Sequence, residues 1–348
     1  MSNPTTTLRP NLPPTLHLLR LDPIHCPAPD FSPLSHPHTY TSLPTPIPPS
    51  STLLTHLLPA HILITTRYFL PSSLLSQLPN LRHIAILAIG TDHVDIAYCK
   101  ENGISVSNVP AASNEAVSEH GLGLYMALRR NVVGMHERTR EGREWVEKGS
   151  LTRGFYGGLM GGFKGEVVGV VGGGELGNRV ANLCLALGMT VQFSERKGVP
   201  QTATRPHYTP FTTVLTTSTV LFLTLPLTPS TTNLITHHEF SLMRPDALVI
   251  NIARGGIVNE EDLVCALKEG KIAGAATDVF VTEPAGRDSV LVRAAREGEG
   301  EGGLGGSGRL ILSPHVAWYG RSSVDKLRRV VAENVRAWCE GGEGNVVG

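Results

Sequence analysis

The chain has 348 residues, and its 30 Lys+Arg balance 30 Asp+Glu to a formal net charge of +0. That length points to two domains, and the balanced charge leaves no electrostatic footprint for nucleic acid or an anionic membrane. Apolar runs such as Ala247–Ile250 are far too short to span a bilayer.

Residues 1–14, "MSNPTTTLRPNLPP", read as a disordered tail. They lack the apolar core of a secretory signal, and the final "NVVG" is not a peroxisomal address. The five cysteines (Cys26, Cys99, Cys184, Cys265, Cys339) are scattered without metal-ligand spacing. They read as reduced thiols of a cytoplasmic protein.

"TLHLLRLD" (Thr15–Asp22) predicts a first strand, followed from Pro23 to Ser50 by a long irregular loop rich in Pro, Ser, Thr and His. His25, His36 and His38 fall in that loop, which supplies no fixed geometry for a metal. Strand and helix then alternate. "AHILITT" is a strand, "PSSLLSQLP" a short helix with a Ser start, and "LRHIAILAIG" a strand ending in Gly90. "DIAYCKENG" is a helix closed by Gly103, and "ISVSNVP" a short strand. The alternation predicts an α/β layer with a mainly parallel sheet. Ser113–Gly142 predicts one long helical segment, either a connector or partner-packing helix or simply a buried core helix.

A second α/β series begins at Glu166, with strands "VVGVVG", "TVQFSE", "TVLFLTLP", "ALVINIA" and "GAATDVF". The low-complexity stretch Glu297–Gly308 reads as a flexible surface insert. After "LILSPHVAWYG", an amphipathic helix buries Val324, Leu327, Val331 and Val335.

Gly172, Gly174 and Gly177 fit G-x-G-x-x-G between a strand and a helix, and Glu195 ends the next strand. Gly172 permits the tight turn, Gly174 lets the backbone approach a pyrophosphate at the helix N-terminus, and Gly177 lets helix and strand pack closely. The Glu195 carboxylate suits ribose hydroxyls and favours NAD, whereas Arg196 and Lys197 beside it leave NADP open. Glu175, inside the fingerprint, would repel a pyrophosphate unless it points to solvent.

Arg254, Glu283 and His315 each follow a predicted strand, at the end where open α/β sheets place ligands. Singly, each has a dull explanation as an ion pair, a loop acid or a satisfied histidine. Together they meet the needs of hydride transfer to a 2-oxo acid. The guanidinium fork holds a carboxylate and polarises a ketone. Histidine serves as general acid/base. A nearby carboxylate orients the imidazole and favours its protonated form.

From about Leu53 to Gly341 the sequence resembles the D-isomer-specific 2-hydroxyacid dehydrogenases. The motifs "GTDHVDI", "SNEAVSEHGLGL", "VVGVVGGGELG", "LPLTPSTTNLIT", "NIARGGIVNEEDL", "GAATDVFVTEP" and "LSPHVAWYG" follow in that family's order. The resemblance implies an oxidoreductase with Arg254, Glu283 and His315 as catalytic residues. Cofactor contacts are implied at Glu175, Leu176, Glu195, Ala253 and Asp278, the last to the nicotinamide carboxamide. Backbone amides near Ile89 and Gly90 would hold the substrate carboxylate.

It further implies a flavodoxin-like substrate domain (15–117 plus 319–348) and an inserted Rossmann NAD-binding domain (118–318). A homodimer is the family expectation. The sequence departs where Glu175 stands in place of the family's usual basic residue. It looks most like the glycerate dehydrogenase and hydroxypyruvate reductase branch, so hydroxypyruvate or glyoxylate is the first expectation. A phosphoglycerate dehydrogenase fits less well, since no regulatory domain follows Gly348. The competing reading is an NAD-sensing binding protein like the family's corepressor branch, distinguished by lack of turnover.

Overall fold

The computed structural model describes residues 9–44, 50–152, 161–296 and 304–347. The expectations for residues 1–8 and 297–303 therefore lie outside the described residues. The chain divides into two compact units, residues 1–113 with 319–348 and residues 114–318.

The first unit is built on β1 (Leu16–Arg20), β2 (His38–Ser42), α1 (Ser50–Leu57), β3 (Ile62–Thr65), α2 (Ser72–Leu75), β4 (His83–Ile86), α3 (Ile96–Glu101) and β5 (Ser105–Ser107). Its five strands pair in parallel in the order β2-β1-β3-β4-β5. This is the flavodoxin-like order, with its switch point between β1 and β3. Every residue of β3 and β4 is buried, as befits strands covered on both faces. β2 corrects the expectation of an irregular loop from Pro23 to Ser50. It is an edge strand, "HTYTS", with three exposed residues, so it lacks the apolar alternation that announces a strand.

The second unit opens with α4 (Asn114–Arg129), α5 (Val132–Glu141) and α6 (Glu144–Lys148). The single long helix expected here is broken at Asn131, which takes a left-handed φ of 47°. Asparagine tolerates that conformation better than most residues. There follow β6 (Val167–Val171), α7 (Glu175–Ala186), β7 (Thr190–Ser194), β8 (Tyr208–Thr209), α8 (Phe211–Thr217), β9 (Val220–Leu223) and α9 (His237–Leu242). The unit closes with β10 (Leu248–Asn251), α10 (Glu260–Lys268), β11 (Gly274–Thr277), α11 (Val290–Arg296) and β12 (Leu310–Leu312). All seven strands are parallel, ordered β12-β11-β10-β9-β6-β7-β8. The order reverses between β6 and β9, the switch point of a dinucleotide-binding fold. Both sheets are thus the two predicted α/β layers.

The described part of the low-complexity stretch is not a flexible insert. Leu304 is 5% exposed and joins the core with Leu291, Ala294 and Leu310. Its carbonyl accepts from Arg309 N–H at 3.0 Å and Leu310 N–H at 3.1 Å. One apolar residue among glycines is enough to seat the turn.

The last helix, α12 (Arg321–Cys339), belongs to the first unit. It buries Leu327, Val331, Val335 and Trp338 and anchors Asn334 Nδ2 on the Asn108 carbonyl at 2.8 Å. Residues 9–14 correct the expectation of a free tail. Arg9 donates from its backbone to Cys339 O (2.8 Å) and from Nε to Trp338 O (3.0 Å), and its guanidinium lies 5.0 Å over the Trp338 ring. Pro13 O pairs with His36 Nε2 at 2.7 Å.

Candidate active site

The glycine fingerprint forms the turn from β6 into α7. Gly172 has φ +113°, a conformation that L side chains rarely adopt. A Cβ on Gly177 would collide with Gly172 O, whereas one on Gly174 would meet only open space. A helix N-terminus with unobstructed backbone in front of it fits a pyrophosphate. Glu175 is exposed, so its charge faces solvent, and Leu176 packs half-buried against the sheet.

Glu195 directly follows β7 but is only 2% exposed. Its carboxylate accepts from Arg205 Nε (2.8 and 3.0 Å), Arg205 N–H (3.0 Å) and Arg196 N–H (2.8 Å). The Arg205 guanidinium, then these backbone donors, push the carboxyl down to about 2. Arg205 in turn lies 3.8 Å over the Tyr208 ring, which borders the fingerprint at Gly173. Arg196 is exposed, whereas Lys197 pairs with Glu239 at 2.8 Å.

Three adjacent parallel strands deliver the other candidates. β10 ends before Arg254, β11 before Asp278 and Glu283, and β12 before His315. Asn251 fixes the first turn: its amide donates to Arg254 O (3.0 Å) and its Oδ1 accepts from Ala253 N–H (3.1 Å). Ala253 is buried, and its carbonyl accepts from Arg254 Nη1 at 2.8 Å. A Cβ on the next residue, Gly255, would collide with Phe280 O, so the arginine turn lies directly on the backbone leading to Glu283.

Glu283 spans two partners. One oxygen accepts from Phe280 N–H at 3.0 Å, and the other lies 2.6 Å from His315 Nδ1. The neighbouring Val281 N–H donates to Glu260 Oε1 at 2.8 Å. Burial raises the Glu260 carboxyl above its ordinary value.

Asp278 is 1% exposed. It accepts from Ser313 Oγ (2.6 Å), Val316 N–H (3.0 Å) and Ala317 N–H (2.9 Å), which uses three of the roughly four acceptor positions of a carboxylate. His120 Nε2 lies 3.0 Å from Ser313 Oγ. Sequence reasoning singled out none of His120, Ser313, Arg205 and Glu260. The first two were visible only as letters in "SEHGLGL" and "LSPH".

Ile89 and Gly90 belong to the first unit, just past β4. Ile89 O accepts from Asn108 Nδ2 at 2.7 Å, and Val109 N–H bonds Ala88 O at 3.0 Å, so the segment is held against the loop after β5.

Residues 122–317 match the family model for the D-isomer specific 2-hydroxyacid dehydrogenase NAD binding domain. The chain belongs to the D-isomer-specific 2-hydroxyacid dehydrogenase family. It is 34% identical over 311 residues to a glycerate dehydrogenase of Methylorubrum extorquens, covering 89% of this chain and 92% of that one. It is 33% identical over 301 residues to a glyoxylate reductase of Aeropyrum pernix, covering 84% of each. Among solved structures, D-lactate dehydrogenase from Aquifex aeolicus, complexed with NAD and lactic acid, superposes with a TM-score of 0.71 at 27% identity, covering 95% of this chain and 98% of that one. This dehydrogenase therefore carries the family's nucleotide domain in its second unit. Among the described residues, no helix is long and apolar enough to cross a membrane.

Proposed function

We propose that this dehydrogenase reduces small 2-oxo acids with NADH or NADPH, with hydroxypyruvate and glyoxylate as first candidates. The carrying observation is the His315–Glu283 pair at 2.6 Å, set on strands adjacent to the one that delivers Arg254. Glu283 orients the ring through Nδ1, and Nε2 gives its proton to the substrate oxygen. Arg254 binds the carboxylate and polarises the carbonyl. The backbone amides at Ile89 and Gly90 are the candidate carboxylate donors of the first unit, which we propose as the substrate domain. The bound nicotinamide supplies the hydride. Gly172, Gly174, Glu175, Leu176 and Gly177 would hold its pyrophosphate by backbone, with Ala253 and Asp278 towards the nicotinamide.

The engagement of Glu195 by Arg205 supports a broader cofactor choice than a ribose-facing carboxylate would allow. Its charge is answered by a cation, so it repels a 2′-phosphate less, and the exposed Arg196 is at hand. The names of the relatives, glycerate dehydrogenase and glyoxylate reductase, support the substrate class. The reading places the protein in the cytoplasm as a homodimer; its five cysteines are all free, four of them buried.

The test is a panel of 2-oxo acids run in parallel with NADH and NADPH. Oxidation of at least one cofactor with hydroxypyruvate or glyoxylate is expected. His315→Ala should lower kcat by about 10²–10⁴-fold, and Arg254→Ala should lose kcat/KM with cofactor binding retained. No turnover across the panel, or an Arg254→Ala enzyme of normal activity, overturns the reading.

A further inference from the structure

We infer that His120, acting through the Ser313 hydroxyl and the Asp278 carboxylate, is a positioning residue for His315. The inference rests on the role proposed above for His315, but its starting point is a backbone angle. His315 has φ +53°, in the left-handed region. For an ordinary L-residue that conformation is strained and persists only where the surroundings over-determine it. The neighbouring hydrogen bonds do so. Ser313 N–H donates to Thr277 O (3.0 Å), His315 N–H to Ser313 O (3.0 Å), and Trp318 Nε1 to His315 O (3.0 Å). Just past His315, the N–H groups of Val316 and Ala317 both end on Asp278, one on each oxygen. The strained residue is pinned on either side, and Asp278 is the pin on the far side.

The proton count gives the network a direction. Ser313 Oγ carries one hydrogen and lies 2.6 Å from an Asp278 oxygen that, ionised, can only accept. The hydroxyl therefore donates to Asp278, and its lone pair must accept from His120 Nε2 at 3.0 Å. This fixes the protonated nitrogen of His120 as Nε2. His120 stands on α4, a different element from the strand ends it steadies, and its Nε2 also lies 3.6 Å from Asp278 Oδ1. The chain of contacts runs from helix to hydroxyl to carboxylate to the amides beside His315. None of these groups needs to touch substrate for the geometry of the proton donor to depend on them.

A serial relay predicts a specific pattern. His120→Ala and Ser313→Ala should each lower kcat about ten-fold, since displacement of a reacting group by 1 Å can cost up to about 10²-fold. The KM for the 2-oxo acid, whose carboxylate Arg254 is proposed to hold, should stay near wild type. The double variant should be no slower than Ser313→Ala alone, because the hydroxyl is the hydrogen-bonded link from His120 at 3.0 Å, whereas its direct approach to Asp278 Oδ1 at 3.6 Å is too long for a hydrogen bond. Ser313→Thr, which keeps the hydroxyl, and His120→Gln, whose amide nitrogen can stand where Nε2 stood, should restore most of the rate. Amide hydrogen exchange at Val316 and Ala317 in the cofactor-free protein should quicken in both alanine variants and slow again in the two conservative ones.

Additive losses in the double variant overturn the relay. So do unchanged kcat and exchange in both alanine variants, or failure of both conservative replacements. A His315→Ala control separates the two readings. If it alone is crippled, the relay fails and the role of His315 stands. If it turns over normally, the role of His315 fails, and the exchange data alone decide whether the relay holds the loop.

Discussion

Gly255 sits where no side chain fits, because a Cβ would collide with the carbonyl of Phe280. That carbonyl belongs to the backbone leading into Glu283, whose other oxygen meets His315. Gly255→Ala must therefore push the arginine turn and the glutamate turn apart. We expect a loss of about 1–3 kcal/mol in stability, typical of overpacking, and a larger fall in kcat than in cofactor affinity. Kinetics at saturating cofactor, beside a denaturant melt, would check this; an alanine variant with normal kcat would show that the two turns need not touch. Arg205 makes a second residue-level prediction. Arg205→Ala releases Glu195 from its ion pair and leaves, at the proposed ribose position, a carboxylate answered by backbone N–H groups alone. The KM for NADPH should rise more than the KM for NADH, and equal effects on both would remove Arg205 from cofactor choice. As candidates, Arg254, Glu283 and His315 were legible in the sequence because each lies a few residues past a readable strand. The partners of Ser313 were not legible, since His120 lies 193 residues away and Asp278 35. Only the fold brings such groups into register.

At the scale of elements, what was legible followed from burial. Strands such as "ILIT" and "VLFL" are buried at every residue and announce themselves as apolar runs. β2 did not, because an edge strand with polar residues on both faces has no pattern to read. The break after Arg129 was equally silent. Helical spacing continues through Val132 and Met135, and the left-handed turn at Asn131 is a backbone choice. It lets α5 start close to the Ser307 backbone, where a Cβ on Gly134 would lie 2.6 Å from Ser307 O. Composition misled in the turn at Leu304–Gly308, where glycines suggested a free loop. Its apolar residue packs with α11 and β12 instead. Leu304→Ala should therefore cost about 2–5 kcal/mol, as for a buried leucine. A shift within about 0.5 kcal/mol, the range of surface substitutions, would return the turn to the flexible class. Equilibrium denaturation with urea decides between them.

At the scale of the whole molecule, stability should depend on pH through groups that fold uncharged. His83 is fully buried, bonded through Nε2 to Ser107 Oγ at 3.0 Å and stacked on Trp338 with ring centroids 5.2 Å apart. Burial, reinforced by the charge of Arg9, pulls its pKa from 6.5 down to about 3. His61 moves the same way, chiefly by desolvation. The unfolded chain therefore takes up these protons first as pH falls. The His83 contribution is complete above pH 6.5 and is lost progressively towards 3, at up to about 1.4 kcal/mol per pH unit; that of His61 is likewise present above 6.5 and lost as pH falls below it. Glu195 acts in a lower window: its pKa falls from 4.5 to about 2, so its contribution is present above 4.5 and disappears as pH drops towards 2. Glu260, raised above 4.5 by burial, opposes the imidazole loss in the upper window, so a His83 variant isolates the imidazole effect. Calorimetric melts should give a nearly flat midpoint above pH 6.5 and a decline between 6.5 and 4.5, before the Glu195 window opens. His83→Gln keeps a polar group beside Ser107 but cannot take up a proton. It should start from a lower midpoint at neutral pH, because the stack on Trp338 is gone, and decline less steeply between 6.5 and 4.5. A wild-type slope in that variant would mean that the acid sensitivity of the molecule originates outside the His83–Trp338 core.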